Sequence, residues 1–86
     1  MTVSLKQARR VKEFCVNEYF AKLPYSIYVN GIGIAKVGFM EPDASDKDDL
    51  CVKIYLRKKL PRNLSIPKEK YGVKIYTEII GEIRLL

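Results

Sequence analysis

The chain has 86 residues, of which 48% are hydrophobic, and it carries a net charge of +6. This length allows one domain, residues 1–86, which is expected to bury about 60–65% of the surface of its unfolded form. The apolar fraction excludes a disordered tail and predicts a single thin core.

Catalytic and cofactor-binding patterns are scarce in this sequence. It contains no histidine, which excludes Ser-His-Asp and Cys-His nucleophile activation and most zinc sites. The glycine pair Gly31 and Gly33 lies in a β-rich run and lacks the third glycine and following helix of a dinucleotide fingerprint. We therefore expect a protein that is not an enzyme and that has no cofactor and no metal.

The charge is unevenly distributed along the chain. Five of the ten acids fall within Glu41–Asp49 beside one lysine, so the remaining segments are strongly basic. A basic surface favours anionic partners such as nucleic acid, and it also serves solubility alone. The acidic segment lacks the mid-loop glycine of a calcium-binding EF-hand, and we interpret it as a solvated loop between two antiparallel strands.

The two cysteines, Cys15 and Cys51, are too few for a disulfide framework. Cys15 belongs to a predicted helix and Cys51 to the polar side of a predicted strand, so we expect both to be free thiols. Free thiols are typical of the cytoplasm. No apolar run approaches the length of a membrane span, and no apolar signal core opens the chain.

The first predicted element is an amphipathic helix from Leu5 to about Ala21. Ser4 and Gln7 have the spacing of a capping box, and Pro24 stops the helix. Apolar residues recur at three- and four-residue steps and define one buried stripe. These residues are Leu5, Ala8, Val11, Cys15, Val16, Tyr19 and Leu23.

The following apolar stretch contains Asn30-Gly31, a strong signal for a two-residue hairpin turn. A single strand that changes phase at a glycine bulge is the competing interpretation. We favour one strand over Gly31–Phe39 with a shorter extended piece before it.

The central strand is predicted within Leu50–Lys59, where apolar and polar residues alternate strictly over the eight residues Leu50–Arg57. Two prolines make the segment Leu60–Pro67 irregular. Val73–Ile79 alternates again, and a short terminal strand is predicted at Glu82–Leu85. The expected fold is α+β: one N-terminal helix packed on a three- or four-stranded, mainly antiparallel sheet.

Cations and tyrosines share the polar side of the two best-defined strands and continue into the connection between them. We predict a candidate binding face there, since bases stack on aromatic rings while phosphates contact lysines. Its members are Lys53, Tyr55, Arg57, Lys58, Lys59, Arg62, Lys74 and Tyr76.

Patterned positions from Gly31 onward resemble a known domain type. They are Gly31, Gly33, Lys36, Lys59, Leu60, Pro61, Ile66, Pro67, Gly72, Val73, Gly81, Glu82, Ile83 and Arg84. This pattern is similar to that of a small α+β domain found N-terminal to trypsin-like serine-protease-type domains in bacterial proteins. The resemblance implies an accessory module standing alone, with no catalytic residues to carry over.

We therefore expect a small, non-catalytic accessory or protein-interaction module in the cytoplasm. Its partner would be another protein or a second copy of itself, bound through an exposed sheet edge. Leu64 and Ile66 would add an apolar contact beside the basic patch. The alternative function is binding of single-stranded nucleic acid through the basic, tyrosine-bearing sheet face. No small-molecule ligand is evident from the sequence.

Overall fold

The computed structural model describes residues 3–81 and has one N-terminal helix packed on a four-stranded sheet. The expected α+β class is confirmed. The elements are α1 (Leu5–Cys15), a π-helical turn (Val16–Phe20), β1 (Val29–Lys36), β2 (Leu50–Leu56), β3 (Glu69–Lys70) and β4 (Val73–Ile79). The predicted terminal strand at Glu82–Leu85 lies outside the described residues.

The sheet is mixed, with strand order β1-β2-β4-β3. The pairs β1–β2 and β3–β4 are antiparallel, whereas β2 and β4 are parallel. A parallel pair requires a crossover of a dozen or more residues, and residues 57–72 provide it. Alternation in a sequence defines the two faces of a strand but not its direction, so the parallel pair was not predicted.

The helix begins at the predicted capping box. The Gln7 N–H donates to Ser4 Oγ, and the Ser4 N–H donates to Gln7 Oε1. The predicted stripe is wrong at both ends, because Leu5 and Leu23 are 47% and 75% exposed. Leu5 is the first residue of α1, and Ala8 is the first residue of this helix that is buried. The helical turns end at Phe20, so Leu23 lies in the turn before Pro24 and no longer belongs to the helical stripe.

The core lies between α1 and one face of the sheet. Its central strand contributes Val52, Ile54 and Leu56, all buried. The other members of this cluster are Val11, Cys15, Tyr19, Val29, Val73 and Ile75. These assignments follow the predicted alternation. The opposite parity of β2 and β4 consequently faces away from the helix.

At Asn30-Gly31 the chain forms a bulge within one strand. The register of β1 against β2 shifts between Val29 and Gly31. This agrees with the interpretation of a single strand that changes phase at a glycine bulge, and not with a two-residue hairpin turn. The strand ends at Lys36 rather than Phe39, because Val37–Phe39 forms a 3-10 turn. The N–H of Gly38 donates to the carbonyl of Lys47, which holds this turn against the acidic loop.

Within residues 3–81, no helix has both the length and the apolar character needed to cross a bilayer. The same residues hold no group of three or more acidic or cysteine side chains placed to bind a metal ion. Cys15 and Cys51 are both free and buried.

Candidate functional site: the polar sheet face and the open edge

The sheet face opposite α1 collects four of the eight predicted binding residues. Lys53 of β2 lies beside Tyr76 of β4, and Tyr55 lies beside Glu78. Lys74 shares the parity of Tyr76. We call the group Lys53, Tyr55, Lys74, Tyr76 and Glu78 the polar face. The prediction that these side chains share one face is confirmed by the register.

Lys53 forms an ion pair with Glu78 on β4. Its Nζ lies 2.9 Å from a carboxylate oxygen of Glu78 and 5.2 Å from the centroid of the Tyr55 ring. The hydrogen bond to Glu78 raises the pKa of Lys53 above its ordinary value, against the opposing effect of burial. The ammonium group therefore stays charged but already has a carboxylate partner.

The acidic loop folds back onto the polar face. Lys74 Nζ lies 2.9 Å from Asp46 and 3.6 Å from Glu41, and the Tyr76 hydroxyl donates a hydrogen bond to Glu41. Burial, with that hydrogen bond, raises the pKa of Tyr76 to about 12. The hydrogen bond from Lys74 lowers the pKa of Asp46. This contact was not predicted; the opposite charges of the loop and the polar face are the signal for it in the sequence.

The other four predicted residues lie apart from the polar face, at and beyond the end of β2. The Nε of Arg57 is buried and has no hydrogen-bond partner among residues 3–81. Lys58 Nζ lies 5.2 Å from the centroid of the Tyr28 ring. Lys59 and Arg62 are exposed and form no ion pair with other described residues. The predicted binding residues therefore form two groups rather than one.

The predicted apolar contact in Leu60–Pro67 is largely turned inward. Ile66 packs against the protein's own core together with Leu60, and Leu64 is half-buried. The Tyr25 hydroxyl donates to the carbonyl of Ser65 and holds this segment in place. Little apolar surface is left here for a partner.

A shallow groove of about 510 Å³ lies beside β4, where β3 ends. Its lining is mixed in charge and consists of Glu41, Lys68, Glu69, Lys74, Ile75, Tyr76 and Thr77. A paired-carboxylate hydrolase would need Glu78 or Glu82 in an apolar pocket; Glu78 is not in this lining, and Glu82 lies outside the described residues. The acids that do line this groove are Glu41 and Glu69.

β1 forms one edge of the sheet, with β2 on one side and, within residues 3–81, no strand on the other. The N–H of Val37 donates to the carbonyl of Asp49. Since backbone groups alternate in direction along a strand, the N–H and C=O groups of Ile32, Ile34 and Lys36 point away from β2. We call these three residues the open edge. Edge strands are commonly protected by lysine, proline or bulges; β1 has one lysine, at its end, and one bulge at its start.

Two glycines of β1, Gly31 and Gly33, are not required by the fold of a single chain. Neither has a positive φ. A Cβ at Gly31 would meet no atom within 4 Å, and one at Gly33 would meet only Tyr55 Cε2, at 4.0 Å. Glycine inside a strand costs about 0.5–1 kcal/mol relative to alanine, and a close approach of another backbone is one reason for its presence.

Comparison with known proteins returned no matching family model, no matching curated protein and no matching solved structure. The resemblance to the domain that accompanies serine-protease-type domains therefore stays a prediction.

Proposed function

We propose that this chain is a non-catalytic accessory or protein-interaction module that binds an extended strand along the open edge of β1. The observation that carries the proposal is the row of outward backbone groups at Ile32, Ile34 and Lys36. Unpaired N–H and C=O groups on a strand edge are a template for another strand. Main-chain hydrogen bonds would supply the affinity, and neighbouring side chains the specificity.

The surroundings of β1 support strand addition. Ile27, just before the strand, is 47% exposed, and Phe39, just after it, is 78% exposed. Exposed apolar side chains beside an open strand edge are typical of a protein-binding surface rather than of a protected one. The predicted resemblance to an accessory domain is consistent with this role.

Binding of single-stranded nucleic acid is the second candidate. It is favoured by the position of Lys53 over the Tyr55 ring. It is opposed by the ion pairs of Lys53 and Lys74, because a phosphate would have to displace carboxylates that already neutralise both cations. We therefore place it behind strand addition.

A selection of displayed random peptides against the labelled protein tests strand addition. Selected peptides are expected to shift the amide signals of Ile32, Ile34 and Lys36. Ile34→Pro should abolish binding, because it removes a backbone N–H that faces away from β2. It should preserve the fold, because proline is tolerated on an edge strand and the preceding residue, Gly33, is not restricted by a side chain. Failure to select peptides, or shifts confined to other elements, would overturn the proposal.

A titration with a short mixed-sequence oligonucleotide at low and moderate salt separates the two candidates. Contacts with phosphates weaken steeply as salt increases. We expect no salt-sensitive shifts on the polar face. Such shifts at Lys53–Arg57 and Lys74–Tyr76 would instead favour nucleic-acid binding.

The cytoplasmic placement expected from the sequence belongs to this proposal as well. Its support is that Cys15 and Cys51 are both buried free thiols, a state that reducing compartments maintain.

A further inference from the structure

We propose that the strand bound at the open edge is β1 of a second copy of this chain. The two strands pair antiparallel about a two-fold axis at Gly33. This inference rests on the proposed function and names its partner. It is carried by three independent features of β1: its outward backbone groups, its small residues on the polar side, and the exposed apolar residues at its two ends.

The backbone groups match under this symmetry. A two-fold axis at Gly33 places Ile32 opposite Ile34 of the second copy, and Ile34 opposite its Ile32. All of these residues direct their N–H and C=O groups outward, so each opposed pair can exchange both backbone hydrogen bonds. The interface is isologous, because the same residues meet from both sides.

The pairing of the two β1 strands would explain the presence of Gly31 and Gly33. On the polar side of β1, Gly33 faces Gly33 of the second copy and Gly31 faces Ala35. The pair at the axis is of the non-hydrogen-bonded type, in which the Cα atoms approach to about 4.5 Å. Small residues on both strands leave room for this close approach of the two backbones. Within one chain, Tyr55 Cε2 lies 4.0 Å from the position that a Cβ on Gly33 would take.

Exposed apolar side chains flank both ends of the paired strand. Ile27 precedes β1 and Phe39 follows it, each in a 3-10 turn just outside the strand. Both side chains are substantially exposed in the single chain. Apolar area is thus available for burial at both ends of the paired strands.

Charge does not oppose the pairing along the strand. Lys36 is the one charged residue of β1. The register places it opposite Asn30, away from Lys36 of the second copy. Like charges directly opposite each other on paired strands destabilise the pair, and this arrangement avoids them.

The mass of the protein in solution, measured by sedimentation from micromolar to millimolar concentration, gives the first test. We expect a monomer–dimer equilibrium that Ile34→Pro shifts to monomer. In a mixture of labelled and unlabelled wild-type protein, the Gly33 α-protons should show a contact between copies. This measurement needs no variant and so does not depend on a variant folding.

Charge swapping at the axis tests the register. Gly33→Lys and Gly33→Glu should each be monomeric, because each places two like charges face to face, whereas their mixture should form a heterodimer. Gly31→Lys is the matched control and should dimerise, since its partner position is Ala35. Circular dichroism checks that every variant is folded.

The outcomes separate this inference from the proposed function. A wild-type protein that stays monomeric at all concentrations overturns pairing with a second copy, yet peptides that bind the open edge would still support strand addition. A dimer that neither Ile34→Pro nor the Gly33 substitutions affect uses another surface and overturns the inference. A dimer that Ile34→Pro disrupts but the mixture fails to restore overturns the two-fold axis at Gly33.

Discussion

Lys53 and Glu78 form an ion pair between two parallel strands, with 2.9 Å between the ammonium nitrogen and a carboxylate oxygen. Asp46 neutralises Lys74 in the same way from the acidic loop. The polar face is therefore close to charge balance although the chain is basic. The charge of the whole molecule does not describe the charge of this surface.

Removal of the Glu78 carboxylate should release the Lys53 cation. We expect Glu78→Gln to bind a single-stranded oligonucleotide more tightly than wild type, with a steeper dependence on salt. The loss in the free energy of unfolding should stay below about 1 kcal/mol, because the pair is partly exposed. Glu13→Gln on the exposed side of α1 makes the same change in net charge and is the control. Equal binding by the two variants would contradict a role for the ion pair.

Tyr76 should contribute to alkaline unfolding. Its pKa is raised to about 12 from the ordinary value of 10.0, so the folded protein keeps this proton where the unfolded chain loses it. Linkage then makes the contribution complete below pH 10.0 and progressively lost toward pH 12. We expect the free energy of unfolding, measured in urea, to fall less steeply over this range in Tyr76→Phe than in wild type. Identical slopes would show that the phenol has the same pKa in both states.

Two glycines with opposite surroundings give a matched pair of stability predictions. A Cβ at Gly38 would lie 2.9 Å from the carbonyl oxygen of Lys47, so Gly38→Ala should destabilise the protein by about 1–3 kcal/mol through overpacking. A Cβ at Gly31 would meet no atom within 4 Å. Gly31→Ala should therefore stabilise the protein by about 0.4–1 kcal/mol, because alanine lowers the conformational entropy of the unfolded chain. Denaturant midpoints of the two variants measure both effects. The opposite order would mean that the acidic loop does not rest on Gly38.

Both thiols should react only when the protein opens. Burial raises the pKa of Cys15 to about 11, and burial also raises the pKa of Cys51, so the reactive thiolate is scarce at neutral pH. We expect thiol labelling to be slow in native buffer and fast in denaturant. In Cys15→Ala, the labelling rate of Cys51 can be measured alone. Prompt labelling of either cysteine in native buffer would contradict the described burial.

Local patterns in the sequence predicted the parts of this fold that depend on neighbours in the chain. Ser4 and Gln7 marked the start of α1 because a capping box is a contact across one helical turn. The alternation in β2 and β4 separated the core residues from Lys53, Tyr55, Lys74 and Tyr76, since successive side chains of a strand point to opposite faces.

The tertiary structure decided what depends on distant segments. Residues 57–72 carry the chain across the sheet, which makes β2 and β4 parallel and leaves β1 at the edge. The same topology brings Glu41 and Asp46 onto the polar face, so Lys74, which was predicted to be available, already has carboxylate partners. The sequence by itself thus determined which side of each strand is apolar, because successive side chains along a strand point to opposite faces. Strand order, strand direction and the open edge were decided by long-range packing, to which no local pattern is sensitive.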